Sequence, residues 1–259
     1  MFHAPEGRTL IAADYSSIEA RVLAWLAGEK SLVKAFAQGE DVYMLMASVI
    51  YGIQAKRVSR MQRQIGKTAV LGCGYSMGHE RFRDQCAQAG IIIDEGQARL
   101  IIKNYRKNNP GITRLWKSME EAAISAVQSG EAVYAARGRI RFEMKDKVLR
   151  MILPSGRALH YHSPRTIEVE TPWNELTPAL LHHGVNTVTR KWSEQRTYGG
   201  RLTENAVQAI ARDLLAEAML RLDSRGWEIV LSVHDELVAE CDEEFADLDA
   251  FTSLMEAAP

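Results

Sequence analysis

Apolar residues near the start of the chain follow the pattern of a short buried strand. Residues 9–13 (Thr-Leu-Ile-Ala-Ala) are almost entirely apolar and lead directly to Asp14. A run of this length predicts a buried strand whose end presents a carboxylate. Apolar positions then recur at helical spacing from Ile18 to Leu26, and Gly28 is the expected end of that helix.

The middle of the chain carries helical spacing of apolar positions over several long stretches. Each stretch ends at a glycine or at another turn signal, such as Asn109-Pro110-Gly111. We predict helices over residues 30–52, 57–71, 94–108, 112–129 and 203–222.

Two regions depart from the helical pattern. Residues 133–170 contain alternating and β-branched runs divided by turns, which predicts a small antiparallel region. Near the C-terminal end, residues 227–233 and 237–240 are apolar runs on either side of His234-Asp235-Glu236. This arrangement predicts a hairpin with its acids at the tip. The fold class is therefore α+β, with strands towards both ends of the chain and helices between them.

Composition and charge narrow the class of protein without identifying it. The 259 residues are 46% apolar and 25% charged, as expected of a soluble globular protein. The 32 basic residues balance the 33 acidic ones, so bulk charge does not hold this chain on nucleic acid, although a local basic groove is compatible with this balance. The three cysteines have no metal-ligand spacing. We expect a cytoplasmic protein with no membrane association, since no stretch approaches the length of a membrane span.

Two acids at strand ends, Asp14 and Asp235, are the first candidates for chemistry. If the first strand lies beside the C-terminal hairpin, both carboxylates project from one edge of the sheet. Two carboxylates at such an edge form an oxygen site suited to Mg²⁺, which takes its remaining ligands from water and substrate phosphates. A pair of ions held in this way serves in-line displacement at phosphorus. Either acid alone would be an ordinary turn residue.

A row of four residues on the predicted helix at residues 57–71 and just beyond it is the second candidate. Arg63, Lys67, Leu71 and Tyr75 recur every fourth residue and therefore share one face. Two cations would meet a triphosphate, while an apolar and an aromatic side chain would meet the sugar and the base.

Read together, these segments resemble the family A (bacterial polymerase I-like) DNA polymerases. Residues 14–21 (Asp-Tyr-Ser-Ser-Ile-Glu-Ala-Arg) resemble the first palm motif, usually D-Y-S-Q-I-E-L-R. Arg63-x-x-x-Lys67-x-x-x-Leu71-Gly72-x-x-Tyr75 resembles the fingers-helix motif R-x-x-x-K-x-x-x-[FY]-G-x-x-Y. Residues 233–236 (Val-His-Asp-Glu) resemble the second palm motif, and Gln208 with Ala211 and Asp213 resembles the helix that precedes it. The motifs occur in the family's order.

This resemblance implies an architecture. The antiparallel palm sheet would carry the acidic site, with a mainly helical fingers subdomain inserted. Residues 1–28 and 201–259 would form the palm, and residues 29–200 would form the fingers, with the small antiparallel β region near 133–170.

The resemblance also implies roles for the metal site and the nucleotide site. Asp14 and Asp235 would be the catalytic acids that bind two Mg²⁺ ions, with the Tyr15 carbonyl as a further ligand. The residues expected to bind the incoming dNTP are Arg63, Lys67, Leu71, Tyr75, Glu19 and Tyr43. Glu19 would crowd the 2′ position of the sugar, which disfavours ribonucleotides.

Three residues would contact DNA. Gln208 would contact the minor groove of the primer–template, and His234 would lie near the primer end, beside Glu236. The reaction would be attack of the primer 3′-oxygen on the α-phosphate, with release of pyrophosphate.

Some positions depart from the family pattern. Leu71 stands where Phe or Tyr is usual, Ser17 replaces Gln, and Tyr43 stands where polymerase I-like enzymes carry a phosphate-contacting His. Glu204-Asn205 lies where an Asn is expected, displaced by one position. These differences indicate a phage-like branch.

The extent of the chain suggests an incomplete enzyme. It begins just before the first palm motif, so we expect no thumb and no proofreading exonuclease within it. A separate thumb-bearing or exonuclease-bearing polypeptide is therefore an expected partner beside primer–template DNA and dNTPs. A split enzyme, a truncated prophage remnant and an engineered fragment all fit this expectation.

Two other functions remain compatible with the motifs. A remnant without catalytic activity would still bind nucleotide or DNA. A metal-dependent nuclease would use the same paired acids, but it gives no reason for the row that begins at Arg63.

Overall fold

The computed structural model describes residues 3–170, 174–186 and 188–257. It contains helices and antiparallel strands, so the predicted α+β class is confirmed. The helices are α1 (Ile18–Ala27), α2 (Lys30–Ala37), α3 (Val42–Tyr51), α4 (Arg60–Thr68), α5 (His79–Gln88), α6 (Glu95–Asn108), α7 (Pro110–Ser129), α8 (Gly199–Ser224) and α9 (Leu248–Glu256).

The strands form two separate sheets. They are β1 (Arg8–Asp14), β2 (Val133–Ala135), β3 (Ile140–Lys145), β4 (Val148–Ile152), β5 (Ala158–Glu170), β6 (Leu176–Val185), β7 (Trp192–Thr197), β8 (Glu228–Val233) and β9 (Glu236–Asp242). The three-stranded sheet has the order β1-β9-β8, and the six-stranded sheet runs from β2 to β7 in chain order. Every pairing is antiparallel.

Several elements differ from the sequence-based prediction. The stretch at residues 30–52 forms two helices, α2 and α3. Strands β6 and β7 and helices α5 and α9 were not predicted. Helix α5 buries only Phe82 and Cys86, so its apolar periodicity is weak. Strand β7 is polar at every position after Trp192, so it lacks the alternation of apolar and polar residues that predicts a strand.

The chain divides into two compact units. One comprises the chain up to Ile18 together with the chain from Gln208 onwards, and the other comprises Glu19–Val207. The first contains the three-stranded sheet, and the second contains the six-stranded sheet with helices α2 to α7. The assignment of palm and fingers to these segments stays a prediction.

The first unit has a core between one face of its sheet and two helices. Ile11 of β1 and Leu237 and Ala239 of β9 are buried against α8 and α9. Among the fully buried side chains of this core, Leu222 comes from α8 and Phe251 from α9. This packing fixes the register of β1 against β9, because a shift of one residue would turn Ile11 towards solvent.

Arg8 neutralises three carboxylates at one end of this sheet. Its guanidinium contacts Glu240 at 2.5 Å, Glu228 at 2.8 Å and Asp242 at 2.9 Å. Glu228 and Glu240 lie directly opposite each other on β8 and β9, where like charges destabilise a sheet. The hydrogen bond with Glu240 is the main cause of the raised pKa of Arg8.

We expect Arg8→Met to lower the thermal midpoint of the protein, because three carboxylates lose their common cation. Thermal melts followed by circular dichroism measure the loss, and 1 M NaCl should remove most of it by screening. Arg99→Met is the matched control, since Arg99 contacts the single carboxylate of Glu95 on one exposed helix face. An equal loss in both variants would contradict a special role for the three-carboxylate cluster.

Among the helices within residues 3–170, 174–186 and 188–257, none combines the length and the apolar character needed to cross a bilayer.

Candidate active site

The acidic group lies at one end of the three-stranded sheet. Asp14 is the last residue of β1 and pairs directly with Glu236, the first residue of β9. Asp235 immediately precedes Glu236, and its carbonyl oxygen accepts a hydrogen bond from the Tyr15 backbone N–H at 3.1 Å. The first strand therefore lies beside the C-terminal hairpin, which is the condition under which the sequence predicted both carboxylates at one edge of the sheet.

The hairpin turn that carries Asp235 is tighter than predicted. His234 and Asp235 alone connect β8 to β9, because Glu236 already pairs with Val233. His234 has a φ of 53°, in the left-handed region that a two-residue hairpin turn uses. This turn leaves His234 exposed and Asp235 half-buried.

Electrostatics show that the acids at this sheet end repel one another. Burial raises the pKa of the Asp14 carboxyl, and the nearby charges of Asp235 and Glu236 raise it further. The Asp14 carboxylate is thus less stable in its ionised form than it would be alone in water. A divalent cation would relieve this repulsion, and carboxylate oxygens are donors that suit Mg²⁺.

Tyr15 anchors the residue after Asp14. Its side chain packs against the core of the first unit, and its hydroxyl donates a hydrogen bond to the Met255 carbonyl oxygen in α9. Burial is the main cause of the raised pKa of this phenol. With both the side chain and the backbone N–H engaged, the main chain beside Asp14 is held in place.

The second unit holds the two predicted phosphate-binding cations beside one aromatic ring. Arg63 and Lys67 lie one turn apart on α4, and their charged groups are 5.4 Å and 5.9 Å from the centre of the Tyr43 ring on α3. These distances allow cation–π attraction. Tyr43 therefore supports both cations.

Asp41 is a residue of this cluster that the sequence did not single out. Its carboxylate caps α3 by accepting the backbone N–H groups of Tyr43 and Met44, and it contacts Arg63 Nε at 2.6 Å. Burial opposes ionisation of Asp41, but the bonds from Arg63 and the backbone outweigh it and lower its pKa. The available signal was an aspartate directly before a helical pattern.

The close approach of α4 to α3 depends on Gly66. A Cβ atom at this position would lie 2.2 Å from the Tyr43 carbonyl oxygen and 3.0 Å from the Ala47 nitrogen. Both obstacles are backbone atoms, which cannot rotate away. Gly66 is therefore the reason that α4 can bring its cations over Tyr43.

The α-helical geometry that would place the four residues of the row on one face does not continue to Tyr75. After α4 the chain forms a π-helical turn at Ala69–Cys73, which includes the exposed Leu71. The indole of Trp116 donates a hydrogen bond of 2.6 Å to the Gly74 carbonyl at the end of this turn. The four residues of the row consequently lie on an α-helix, a π turn and the segment after it.

Tyr75 and Glu19 are joined by a hydrogen bond. The Tyr75 hydroxyl donates to Glu19 Oε2 at 3.1 Å. Burial, followed by the negative charges of Glu19 and Glu204, raises the pKa of Tyr75 well above its usual range. The structure therefore brings together two residues that the sequence placed 56 positions apart.

Gln208 and the nearby Asn205 lie in different surroundings on α8. Gln208 is exposed on α8. Asn205 donates a hydrogen bond of 3.0 Å to the Tyr161 hydroxyl on β5, so this amide is engaged within the protein. Burial raises the pKa of Tyr161 to about 12, which keeps its hydroxyl protonated.

In the part of the chain that the structure describes, no group of three or more His, Cys, Asp or Glu side chains is placed to hold a metal ion. The acidic sheet end would therefore need ligands from water or from substrate.

The model of DNA polymerase family A matches residues 1–258. This chain belongs to DNA polymerase family A. The resemblance predicted from its motifs is thereby confirmed.

Similar proteins include a phage enzyme and a bacterial polymerase I. The chain is 34% identical to the DNA polymerase of Bacillus phage SP02 over 255 residues, which cover 96% of this chain and 38% of the phage protein. It is 30% identical to the thermostable DNA polymerase I of Thermus aquaticus over 253 residues, which cover 95% of this chain and 24% of that enzyme. The chain thus spans well under half the length of these relatives.

A solved structure shares the fold. The POL domain of Pol1 from M. smegmatis, in complex with DNA primer-template and dNTP, matches with a TM-score of 0.60 and 22% identity. The match covers 97% of this chain and 36% of that chain.

Proposed function

We propose that this family A chain is the polymerase core of a DNA-directed DNA polymerase that catalyses template-dependent nucleotidyl transfer with two Mg²⁺ ions. The observation that carries the proposal is the acidic end of the three-stranded sheet, where Asp14, Asp235 and Glu236 meet. Primer–template DNA and dNTPs are the proposed substrates, and the cytoplasm is the proposed location.

Asp14 and Asp235 would hold the metal ions, with the Tyr15 carbonyl as a further ligand. Bound Mg²⁺ would favour the ionised attacking hydroxyl and stabilise charge on the leaving oxygen. The carboxylates fix where this positive charge is placed. The exposed His234 and Gln208, with Glu236, would contact the DNA.

The cluster on α3 and α4 would bind the triphosphate. Arg63 and Lys67 supply two positive charges, and Tyr43 holds both from one side. The Asp41 contact uses Arg63 Nε, so the two terminal nitrogens lie at the outer end of the guanidinium, where a phosphate can be bound in bidentate fashion. Leu71 would contact the sugar or the base.

Glu19 and Tyr75 would act as a pair beside the nucleotide. The hydrogen bond between them orients the Glu19 carboxylate, which would crowd the 2′ position of the sugar. The primer 3′-oxygen would form a bond to the α-phosphorus while the bond to the pyrophosphate oxygen breaks. Positioning and charge stabilisation would supply most of the acceleration.

Primer extension tests this function directly. The purified chain is incubated with a primer–template, Mg²⁺ and one dNTP at a time in low salt (about 50 mM), where phosphate contacts are strongest. We expect extension only with the dNTP complementary to the template base. Nucleotide binding without extension, also after addition of a thumb-bearing polypeptide, would instead support a remnant without catalytic activity. Degradation of DNA without extension would support a nuclease.

We expect Asp41→Asn to raise the KM for dNTP about 10-fold, because one lost charge-assisted contact of Arg63 is worth about 1.4 kcal/mol. Asn still caps a helix, so α3 should remain folded. Steady-state primer extension separates KM from kcat. Asp94→Asn is the matched control, since Asp94 also caps a helix, α6, by accepting the backbone N–H of Gln97. A lower KM in Asp41→Asn would mean that Asp41 withholds Arg63 from the nucleotide.

A further inference from the structure

Among the described residues, the six-stranded sheet has one packed face and an opposite face, here called the open face, on which most side chains are partly or fully exposed. Residues such as Phe142, Leu149 and Met151 are completely buried on the face that packs against α7. Side chains on alternate positions point to the opposite face. Cross-strand partners share a face, so the pairs Glu143–Arg150, Arg150–His160 and His162–His183 identify the residues of the open face.

The open face is rich in positive charge. Its cations are Arg141, Lys145, Arg150, Arg165 and Arg196, and its carboxylates are Glu143 and Glu194. Glu143 contacts both Arg141 at 3.1 Å and Arg150 at 3.2 Å, so one carboxylate balances two guanidinium groups. The other carboxylate, Glu194, contacts Arg165 at 2.7 Å, so the cations of this face still outnumber its carboxylates.

The same face exposes aromatic rings at its edge. Trp192 on β7 is 58% exposed. Its indole lies against the exposed His162 ring, with 5.4 Å between the ring centres and an angle of 57° between the planes. Lys145 on β3 pairs with Val148 on β4, which in turn pairs with His162 on β5. Cations and rings thus occupy one continuous surface.

We propose that this open face binds single-stranded nucleic acid. The cations would contact the phosphates, and Trp192 with His162 would stack on unpaired bases, the combination that single-strand-binding surfaces use. A duplex hides the faces of its bases, so the exposed indole fits an unpaired strand better. This surface is formed within residues 141–196 and uses none of the acids at the end of the three-stranded sheet. It is therefore a site additional to the proposed polymerase site.

Binding of a labelled dT15 oligonucleotide to the full chain, without primer or dNTP, tests the proposal by fluorescence anisotropy. We expect Trp192→Ala to weaken binding about 10-fold, because a stacking contact is lost. Trp192→Phe keeps an aromatic ring and should stay within about 2-fold of the unmodified chain. An rU15 oligonucleotide measured in parallel tells whether the open face binds DNA or RNA more tightly.

A charge variant gives a second measurement. Lys145→Gln with Arg196→Gln removes two cations of the open face. The slope of log K against log salt should become shallower by about 1.4, since each phosphate contact contributes about 0.7 for single strands. Lys103→Gln with Lys107→Gln is the matched control, because both lysines are exposed on α6. Thermal melts confirm that each variant is folded.

Three results would overturn the proposal. One is the absence of dT15 binding by the unmodified chain at low salt. Another is unchanged affinity and salt slope in both sets of sheet variants. The third is a loss of duplex binding in the sheet variants that is as large as their loss of single-strand binding, which would assign the surface to duplex DNA. Asp235→Asn separates the two sites, since it should abolish primer extension and leave dT15 binding intact.

Discussion

Asp235→Asn should reduce Mg²⁺-dependent primer extension by about 1000-fold or more, while the protein remains folded. Loss of a metal-binding carboxylate removes several kcal/mol of charge stabilisation, and each 1.36 kcal/mol corresponds to tenfold in rate. Asn nearly matches Asp in size, so the hairpin turn is retained. Asp14→Asn should give a loss of similar size.

Stability should respond in the opposite direction to activity. Burial raises the pKa of the Asp14 carboxyl, and the charges of Asp235 and Glu236 raise it further. Neutralising one member of this group relieves repulsion, so the thermal midpoint of either variant in metal-free buffer should be at least that of the unmodified chain. This combination of lost activity and retained stability is typical of a functional site.

Asp242→Asn provides the matched control for these variants. Asp242 is the last residue of β9 and contacts Arg8, whereas Asp235 lies just before the first residue of the same strand. We expect its extension rate to stay within about 2-fold, because no catalytic charge is altered. Extension that survived in the Asp14→Asn, Asp235→Asn double variant would remove the basis for the proposed function.

Gly66→Ala should destabilise the protein by about 3 kcal/mol, at the upper end of what an added methyl group costs in a packed interface. The new Cβ would lie 2.2 Å from the Tyr43 carbonyl oxygen, so α4 must move away from α3. Because Arg63 and Lys67 are on α4, both cations would move away from Asp41 and Tyr43. We therefore also expect a higher KM for dNTP.

Urea unfolding followed by circular dichroism measures the first effect, and steady-state extension measures the second. Gly78→Ala is the control, since a Cβ there would meet nothing within 4 Å and its φ of −82° suits any residue. Equal stability of Gly66→Ala and Gly78→Ala would show that α3 and α4 are not in the close contact described.

The family motifs could be found in the sequence because their chemistry is local. Asp14 follows an apolar run, and Asp235 lies between two apolar runs, so each was predicted at the end of a strand. The four-residue spacing from Arg63 to Lys67 indicated one face of a helix. Such patterns depend only on neighbouring residues and can be recognised without knowledge of the fold.

The hydrogen-bond partners of these residues could be identified only from the tertiary structure. The contact of Asp41 with Arg63 joins two helices, and the bond of Tyr75 with Glu19 joins positions far apart in sequence. The π turn at Ala69–Cys73 also escaped prediction, because residues 57–71 have the apolar spacing of an ordinary α-helix.

The sequence by itself determined the α+β class, the order of the motifs and the identity of the acids at the strand ends. Only the tertiary structure decided that β1 pairs with β9, and hence that Asp14 and Asp235 lie at the same end of one sheet. It also decided that the six-stranded sheet has a cationic open face. Strands β6 and β7 of this sheet could not be predicted, because they lack the alternation of apolar and polar residues that indicates a strand. The physical reason is the same in both cases. Local periodicity reports which side of an element is buried, whereas pairing between distant strands depends on how the whole core packs.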